Sequence, residues 1–379
     1  MNNNNKGKNM TNLKKLGLSA LAGSLVAVSA QAGEIAVTGS ANVTYVTGEK
    51  VNGGKTIGTD RDVAFTGTGE MDNGWTFKVS TLLDDTYSVS SSFTSLTMGS
   101  LGTVSFGTDT GGASYKYDEE VPQAYEQISD AQQTSANIVG NQMDSNSIVY
   151  NSPSFDIAGA SISLDAEFSP NANGVGAGDG ATTSKVAAYA NSSTGGSGSG
   201  GNYGKGYGLG ATIKYAGLTA GAYGSERENR DPSTGATKVR DAFEGVWYAK
   251  YSVGPVSFGY SESYLDSGLN AAGGDNAATA KTVRLASGIF EGEQFSVAFN
   301  VNENLSVSYT DSSDNYDEQS NTKGGTETVD VSMDTKAIQI AYSMGAMSVK
   351  AYNMDTKNPG YDNDASDTSI TEIALGLAF

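Results

Sequence analysis

From Glu34 to the last residue, apolar and polar side chains alternate with a period of two. In the first segment Ile35, Val37, Ala41, Val43 and Tyr45 share one face, and Thr38, Ser40, Asn42 and Thr44 share the other. Farther on, Trp75, Phe77 and Val79 oppose Thr76, Lys78 and Ser80. Ile162, Leu164, Ala166 and Phe168 oppose Ser161, Ser163, Asp165 and Glu167, and Val256, Phe258 and Tyr260 oppose Ser257, Gly259 and Ser261. A strand with this pattern sets one face in an apolar medium and the other in water.

The connections alternate as well, and they narrow the choice further. Short turns at Asp72–Gly74, Ala216–Gly217, Gly254–Pro255, Asn302–Asn304 and Gly345–Ala346 join closely spaced strands. Between them lie long polar loops at Gly48–Thr59, Asp109–Asn146, Ser169–Gly204, Glu228–Arg240, Asp266–Gly292 and Asp311–Ser332, and a shorter one at Thr356–Asp367. The strands predicted between these connections are 34–47, 60–71, 75–85, 91–99, 103–108, 146–152, 159–168 and 205–215, followed by 218–226, 241–253, 256–265, 293–301, 305–311, 333–344, 347–355 and 368–379. That makes about sixteen, an even number, and short turns on one side with long loops on the other is the layout of an outer-membrane β-barrel. Lys281–Phe290 either extends the next strand or forms structure within a loop. A soluble β-sandwich or solenoid also alternates. It needs no aromatic edges, however, whereas here Trp75, Tyr215, Tyr251, Tyr260, Tyr309, Tyr342 and Phe379 fall near strand ends, where a barrel places its girdles.

The N-terminus reads as an export signal outside the fold. Lys6, Lys8, Lys14 and Lys15 are followed by an apolar stretch from Leu16 to Val28 and by Ala30-Gln31-Ala32, a small-residue cleavage pattern. The predicted division is a signal peptide at 1–32 and one barrel domain at 33–379. Without the four leader lysines, 19 Lys and Arg face 42 Asp and Glu, a formal charge of −23, so nucleic acid is not an expected partner. The chain has no Cys and no His. Redox-thiol chemistry, zinc sites and hydrolytic triads are therefore disfavoured together, and no enzyme activity, catalytic residue or metal ligand is predicted.

Three stretches resemble the Gram-negative general porins, the trimeric diffusion-pore family that includes the alphaproteobacterial porins. They are SFTSLTMGSLGTVSFG at Ser92–Gly107, NSIVYNSPSF at Asn146–Phe155, and the terminal ITEIALGLAF at Ile370–Phe379; AYSMGAMSV at Ala341–Val349 is a weaker fourth. The resemblance implies an all-β transmembrane antiparallel barrel of about sixteen strands, a homotrimer in outer-membrane lipid, and a third loop folded into the lumen. It also implies that the terminal Phe379 is the signal read by the barrel-insertion machinery. The third loop would be 109–146. It holds Asp109, Asp118, Glu119, Glu120, Glu126, Asp130 and Asp144 against the single base Lys116. The family often places Gly-Arg after the preceding strand, where this chain has Gly107-Thr108-Asp109, and only five Arg occur in all. Lys78, Lys214 and Lys250 are the wall bases that strand parity turns inward.

A pore of this kind selects by width and fixed charge, with small solutes and ions as its traffic. The constriction residues expected from the resemblance are Asp109, Lys116, Asp118, Glu119, Glu120, Glu126 and Asp130, with Lys78 on the wall, and their balance favours cations. The plain alternative is that Asp118–Glu120 are solvated loop residues. No cofactor is expected. Asp311–Glu318 and Asp362–Asp367 invite loop-bound Ca2+, but neither has the full EF-hand spacing, and solvated loops are the preferred reading. The Gly-rich tract at Gly195–Gly210 misses the phosphate-loop pattern because Lys205 is followed by Gly206, so it reads as a loop entering a glycine-spaced strand. A non-conducting barrel adhesin or structural surface protein is the alternative function; it would need no inward loop.

Overall fold

A computed structural model describes residues 33–48, 55–108, 112–130, 134–140, 143, 147–170, 172, 203–229, 241–266, 268, 288–317 and 330–379. The strands are β1 (Glu34–Gly48), β2 (Lys55–Glu70), β3 (Thr76–Leu83), β4 (Val89–Thr97), β5 (Thr103–Thr108), β6 in two pieces (Ser147–Asn151 and Phe155–Ile157), β7 (Ala160–Ser169) and β8 (Tyr203–Tyr215). They continue as β9 (Leu218–Asn229), β10 (Ala242–Val253), β11 (Val256–Asp266), β12 (Ile289–Asn300), β13 (Leu305–Asp317), β14 (Asp330–Met344), β15 (Met347–Lys357) and β16 (Thr368–Ala378). Both pieces of β6 pair with β7, so they form one barrel strand interrupted at Ser152-Pro153-Ser154. Pro153 has no N–H to give a ladder, and the gap is bridged by Ser152, whose backbone N–H donates to Leu164 O (2.8 Å) and whose hydroxyl accepts from Leu164 N (2.8 Å).

Each strand pairs antiparallel with its sequence neighbours, and β1 also pairs with β16, from Ser40↔Ala378 to Gly48↔Ile370. The result is a closed sixteen-stranded barrel, with no free edge to leave backbone groups unpaired in lipid. At the seam, Gly39 N–H donates to Phe379 O (2.8 Å) and Phe379 N–H to Gly39 O (3.0 Å). The tight turns follow from local chemistry. Ala216 (φ 46°) and Gly217 (φ 86°) both adopt the left-handed region that a two-residue type I′ hairpin requires, and Gly254 (φ 55°) opens the turn to Pro255.

Alternation sets the two faces. Val37, Phe77, Leu164, Phe258, Ile340 and Leu375 all lie exposed on the outer face, while their neighbours Asp165, Ser296 and Gln339 are buried on the inner one. Tyr215, Tyr251, Tyr342 and Phe379 are exposed at the short-turn end. Several strands run beyond the predicted ends: β2 begins at Lys55, β13 reaches Asp317 and β14 begins at Asp330. There the ladder continues above the apolar band, where outward residues such as Ser313 and Asn315 carry no hydrophobic signal. β12 starts at Ile289, and 281–287 lie outside the described residues. The signal peptide predicted at 1–32 also lies outside them. The strand predicted at 218–226 also runs on, to Asn229, and takes in Arg227, whose side chain is buried.

Candidate functional site

The closed wall surrounds a lumen, and the loop after β5 (L3, 109–146) crosses it. Three single-turn 3-10 segments, Ser114–Lys116, Ile128–Asp130 and Ala136–Ile138, give the described part its shape. Near its start, Ala113 N–H donates to Glu167 Oε2 (3.1 Å), Tyr117 OH to Asp165 Oδ2 (2.6 Å) and Lys116 Nζ to Asp165 Oδ1 (2.7 Å), all on β7. The Tyr117 ring stacks on Tyr223 of β9 with centroids 5.6 Å apart, and Tyr223 OH donates to Glu167 Oε2 (3.0 Å). In the middle, Ser296 of β12 donates its hydroxyl to Pro122 O, and Ala124 N–H donates to Ser308 Oγ of β13 (2.9 Å). Gln339 of β14 accepts from Tyr125 N–H (2.8 Å) and donates to Glu126 O (2.6 Å). Tyr125 OH reaches Glu372 Oε1 on β16 (2.6 Å), and its ring lies 4.8 Å from Lys350 Nζ on β15. The returning limb is held by Asp314 Oδ2, which accepts Ser135 N–H (2.5 Å), by Ser263 Oγ at 2.7 Å from Ser135 Oγ, and by Glu244 Oε2, which accepts Gly140 N–H (2.6 Å). Burial above all, and then the acids Glu126 and Glu372, push the Tyr125 hydroxyl far above the usual tyrosine range, so it stays a donor.

The predicted residues take several positions. Glu119 is fully buried and works within the loop, accepting from Ser129 Oγ (2.8 Å), Asn137 Nδ2 (3.2 Å) and Thr134 Oγ1 (3.3 Å). Asp118 and Glu126 are buried too. Glu120 pairs with Lys250 of β10 at 2.5 Å and Lys116 with Asp165 at 2.7 Å. Lys78 faces the lumen, two residues from Ser80, whose hydroxyl lies 3.0 Å from that of Thr66; its Nζ sits 5.1 Å from the Phe93 ring centroid. Lys214 and Lys250 both stand opposite Thr219 in register, on the inner face. Asp109, Asp144 and the Asp130 side chain lie outside the described residues, as does the Thr108 side chain.

The wall partners Asp165, Glu167, Glu244, Asp314, Gln339 and Glu372 were not singled out by sequence reasoning, because an inward polar residue looks the same whether it meets water or a loop. Glycine spacing did carry a signal. Gly206, Gly208 and Gly210 share the inner face of β8, and a Cβ there would strike Met143, Tyr223 and Tyr117 respectively; Gly259 of β11 would strike Pro122. The wall is hollowed where the loop lies. Arg227 and Glu244 form a buried ion pair at 2.7 Å beside it.

A family profile described as Gram-negative porin matches residues 17–287. Among solved structures, Salmonella typhi OmpF in complex with daunomycin is similar at 13% identity and a TM-score of 0.64, over 91% of this chain and 97% of that one. An anion-selective porin from Comamonas acidovorans is similar at 12% identity and a TM-score of 0.58, over 92% and 100%. OmpT of Vibrio cholerae, an outer-membrane protein in its trimer form, matches at 12% identity and a TM-score of 0.57, over 92% and 100%. These likenesses concern the fold alone. A comparison with curated protein sequences finds no match.

Proposed function

The chain belongs to the Gram-negative porins and forms a diffusion channel in the outer membrane, and from that premise we propose that the channel passes small hydrophilic solutes and ions with a preference for cations, assembles as a homotrimer and makes or breaks no bond. The observation that carries this reading is L3, pinned across the lumen from Asp165 on β7 to Glu372 on β16. A pinned loop narrows a water-filled barrel and leaves it open, which an adhesin would not require. Its acids act partly through structure: Glu119 braces the loop, and Glu120 is neutralised by Lys250. Cation preference then rests on the inner face as a whole. Among the described residues six bases face the lumen, Lys78, Lys116, Lys214, Arg227, Lys250 and Lys350, and three of them are committed to ion pairs with Asp165, Glu244 and Glu120. The wall adds Asp60, Asp62, Glu167, Asp314 and Glu372, and fixed acids in a narrow lumen concentrate cations. The anion-selective relative illustrates why the fold cannot set the sign of selectivity.

The same reading makes residues 1–32 a removed export signal, Phe379 the feature recognised by the insertion machinery, and outer-membrane lipid the surrounding solvent. It assigns the channel no cofactor. Reversal potentials across a planar bilayer under a KCl gradient test it. Cation-directed potentials and trimer-sized conductance steps are expected; an anion-directed potential refutes the preference, and absence of conductance from a folded barrel refutes the channel.

A further inference from the structure

The anchor points of L3 named above fall on β7–β16, and the remaining wall carries a separate acidic feature. Asp62 of β2 stands opposite Ser40 of β1 on the inner face. On its other side the ladder ends at Val63↔Leu83, so Asp62 and Asp84 are each the next residue beyond that last pair on their own chain segment. The neighbouring charges that act most on Asp62 are those of Asp60, Asp84 and Asp85. Asp62 is only 3% exposed, and its Oδ2 has no hydrogen-bond partner among the described residues. Asp84 is held in a fixed orientation, its Oδ1 accepting from Thr86 N–H (2.9 Å), Thr86 Oγ1 (2.6 Å) and Ser88 N–H (2.9 Å). Neighbouring like charges repel, and a buried carboxylate oxygen with no donor is costly in addition. A cation removes both penalties.

We propose that Asp62 and Asp84, with Asp60 and Asp85 as outlying charges, form a weak divalent-cation site in the lumen wall. The inference rests on the cation-preferring reading above and deepens it. Among the described residues no three acids are arranged as a ready metal cage. The ligand that fits is therefore Ca2+ or Mg2+ keeping part of its water shell, bridging two neighbouring carboxylates rather than stripped into a full oxygen cage. When filled, the site cancels part of the wall charge, so divalent ions lower the channel's preference for monovalent cations.

The test uses the full barrel in planar bilayers. The K+/Cl− permeability ratio is read from reversal potentials while CaCl2, and separately MgCl2, is raised to about 10 mM, roughly tenfold above the weak end of the range for calcium modules. The wild-type ratio should fall at least twofold, and Asp62→Asn should abolish most of that fall. Asp72→Asn, on the exposed turn between β2 and β3 and outside the proposed site, should retain it. A heat-modifiable gel band establishes that each variant is folded. If Asp62→Asn does not fold, Asp84→Asn carries the same expectation. A folded Asp62→Asn channel that responds to Ca2+ like wild type overturns the site, as does a wild type with no response. An anion-preferring wild type without divalent ions refutes the broader reading instead, so the two failures are distinguishable.

Discussion

Replacing Arg227 with Met should destabilise the barrel more than removing both members of its ion pair. Arg227 Nη2 lies 2.7 Å from Glu244 Oε1, and both side chains are 3% exposed. At an effective dielectric near 20, unit charges at that separation attract by about 6 kcal/mol. Desolvation of both groups offsets much of this, so the intact pair contributes little net stability. Removing only the cation leaves Glu244 buried with its charge uncompensated, a change of about 3–5 kcal/mol. The Gly140 N–H bond to Glu244 Oε2 survives in that variant and places the cost toward the lower end. The double variant Arg227→Met, Glu244→Leu removes the charge but leaves Gly140 N–H without its acceptor, about 1–3 kcal/mol. Guanidinium unfolding in detergent, followed by the heat-modifiable gel shift, measures all four corners of the cycle. The expected coupling is about 2 kcal/mol or more. If Arg227→Met is no worse than the double variant, the pair is hydrated through the lumen and the reasoning fails.

Deleting Phe379 should reduce the yield of folded barrel and leave the conductance of the folded fraction unchanged, because two backbone bonds to Gly39 close the seam there; normal yield in a refolding gel would contradict this. Gly39→Val should mimic the deletion, since a Cβ at Gly39 would collide with the Phe379 ring. Lys250→Gln should raise the K+/Cl− permeability ratio and Glu120→Gln lower it, each by roughly twofold or about 0.4 kcal/mol, read from reversal potentials. Tyr125→Phe removes the 2.6 Å bond from L3 to Glu372, so single-channel records should show more open-state noise with nearly unchanged mean conductance; silent records would place the loop's anchorage elsewhere.

The barrel was legible because lipid on one side and water on the other impose a period of two, which survives in Val37, Phe77, Leu164 and Phe258. Strand ends were less legible. Beyond the apolar band both faces are polar, and the ladder to Asp317 continues without any hydrophobic cue. The site was legible as a segment and not as contacts. A loop folded on a polar wall has no periodicity, so nothing in Asp118-Glu119-Glu120 distinguishes the acid that braces the loop from the one that pairs with Lys250. The strand predicted to end at 226 stopped short of Arg227 for the same reason, its flank being as polar as the loop that follows. The inner-face glycines of β8 were the missed cue, since empty space on a wall is a trace of what fills it.

The reach of L3 also bears on the order of assembly. Its bond from Tyr125 to Glu372 joins residues 247 apart in sequence, and Glu372 belongs to the strand that zips against β1 to complete the cylinder. Contacts so distant in the chain carry a large loop-closure entropy and form late. The near limb of the loop can dock early on Asp165 and Glu167 of β7, but its far anchorage forms only once β16 is in place, so the nascent channel stays wider until that last bond is made. A cell inserting this protein meets a brief leak whose duration is the seating time of one loop.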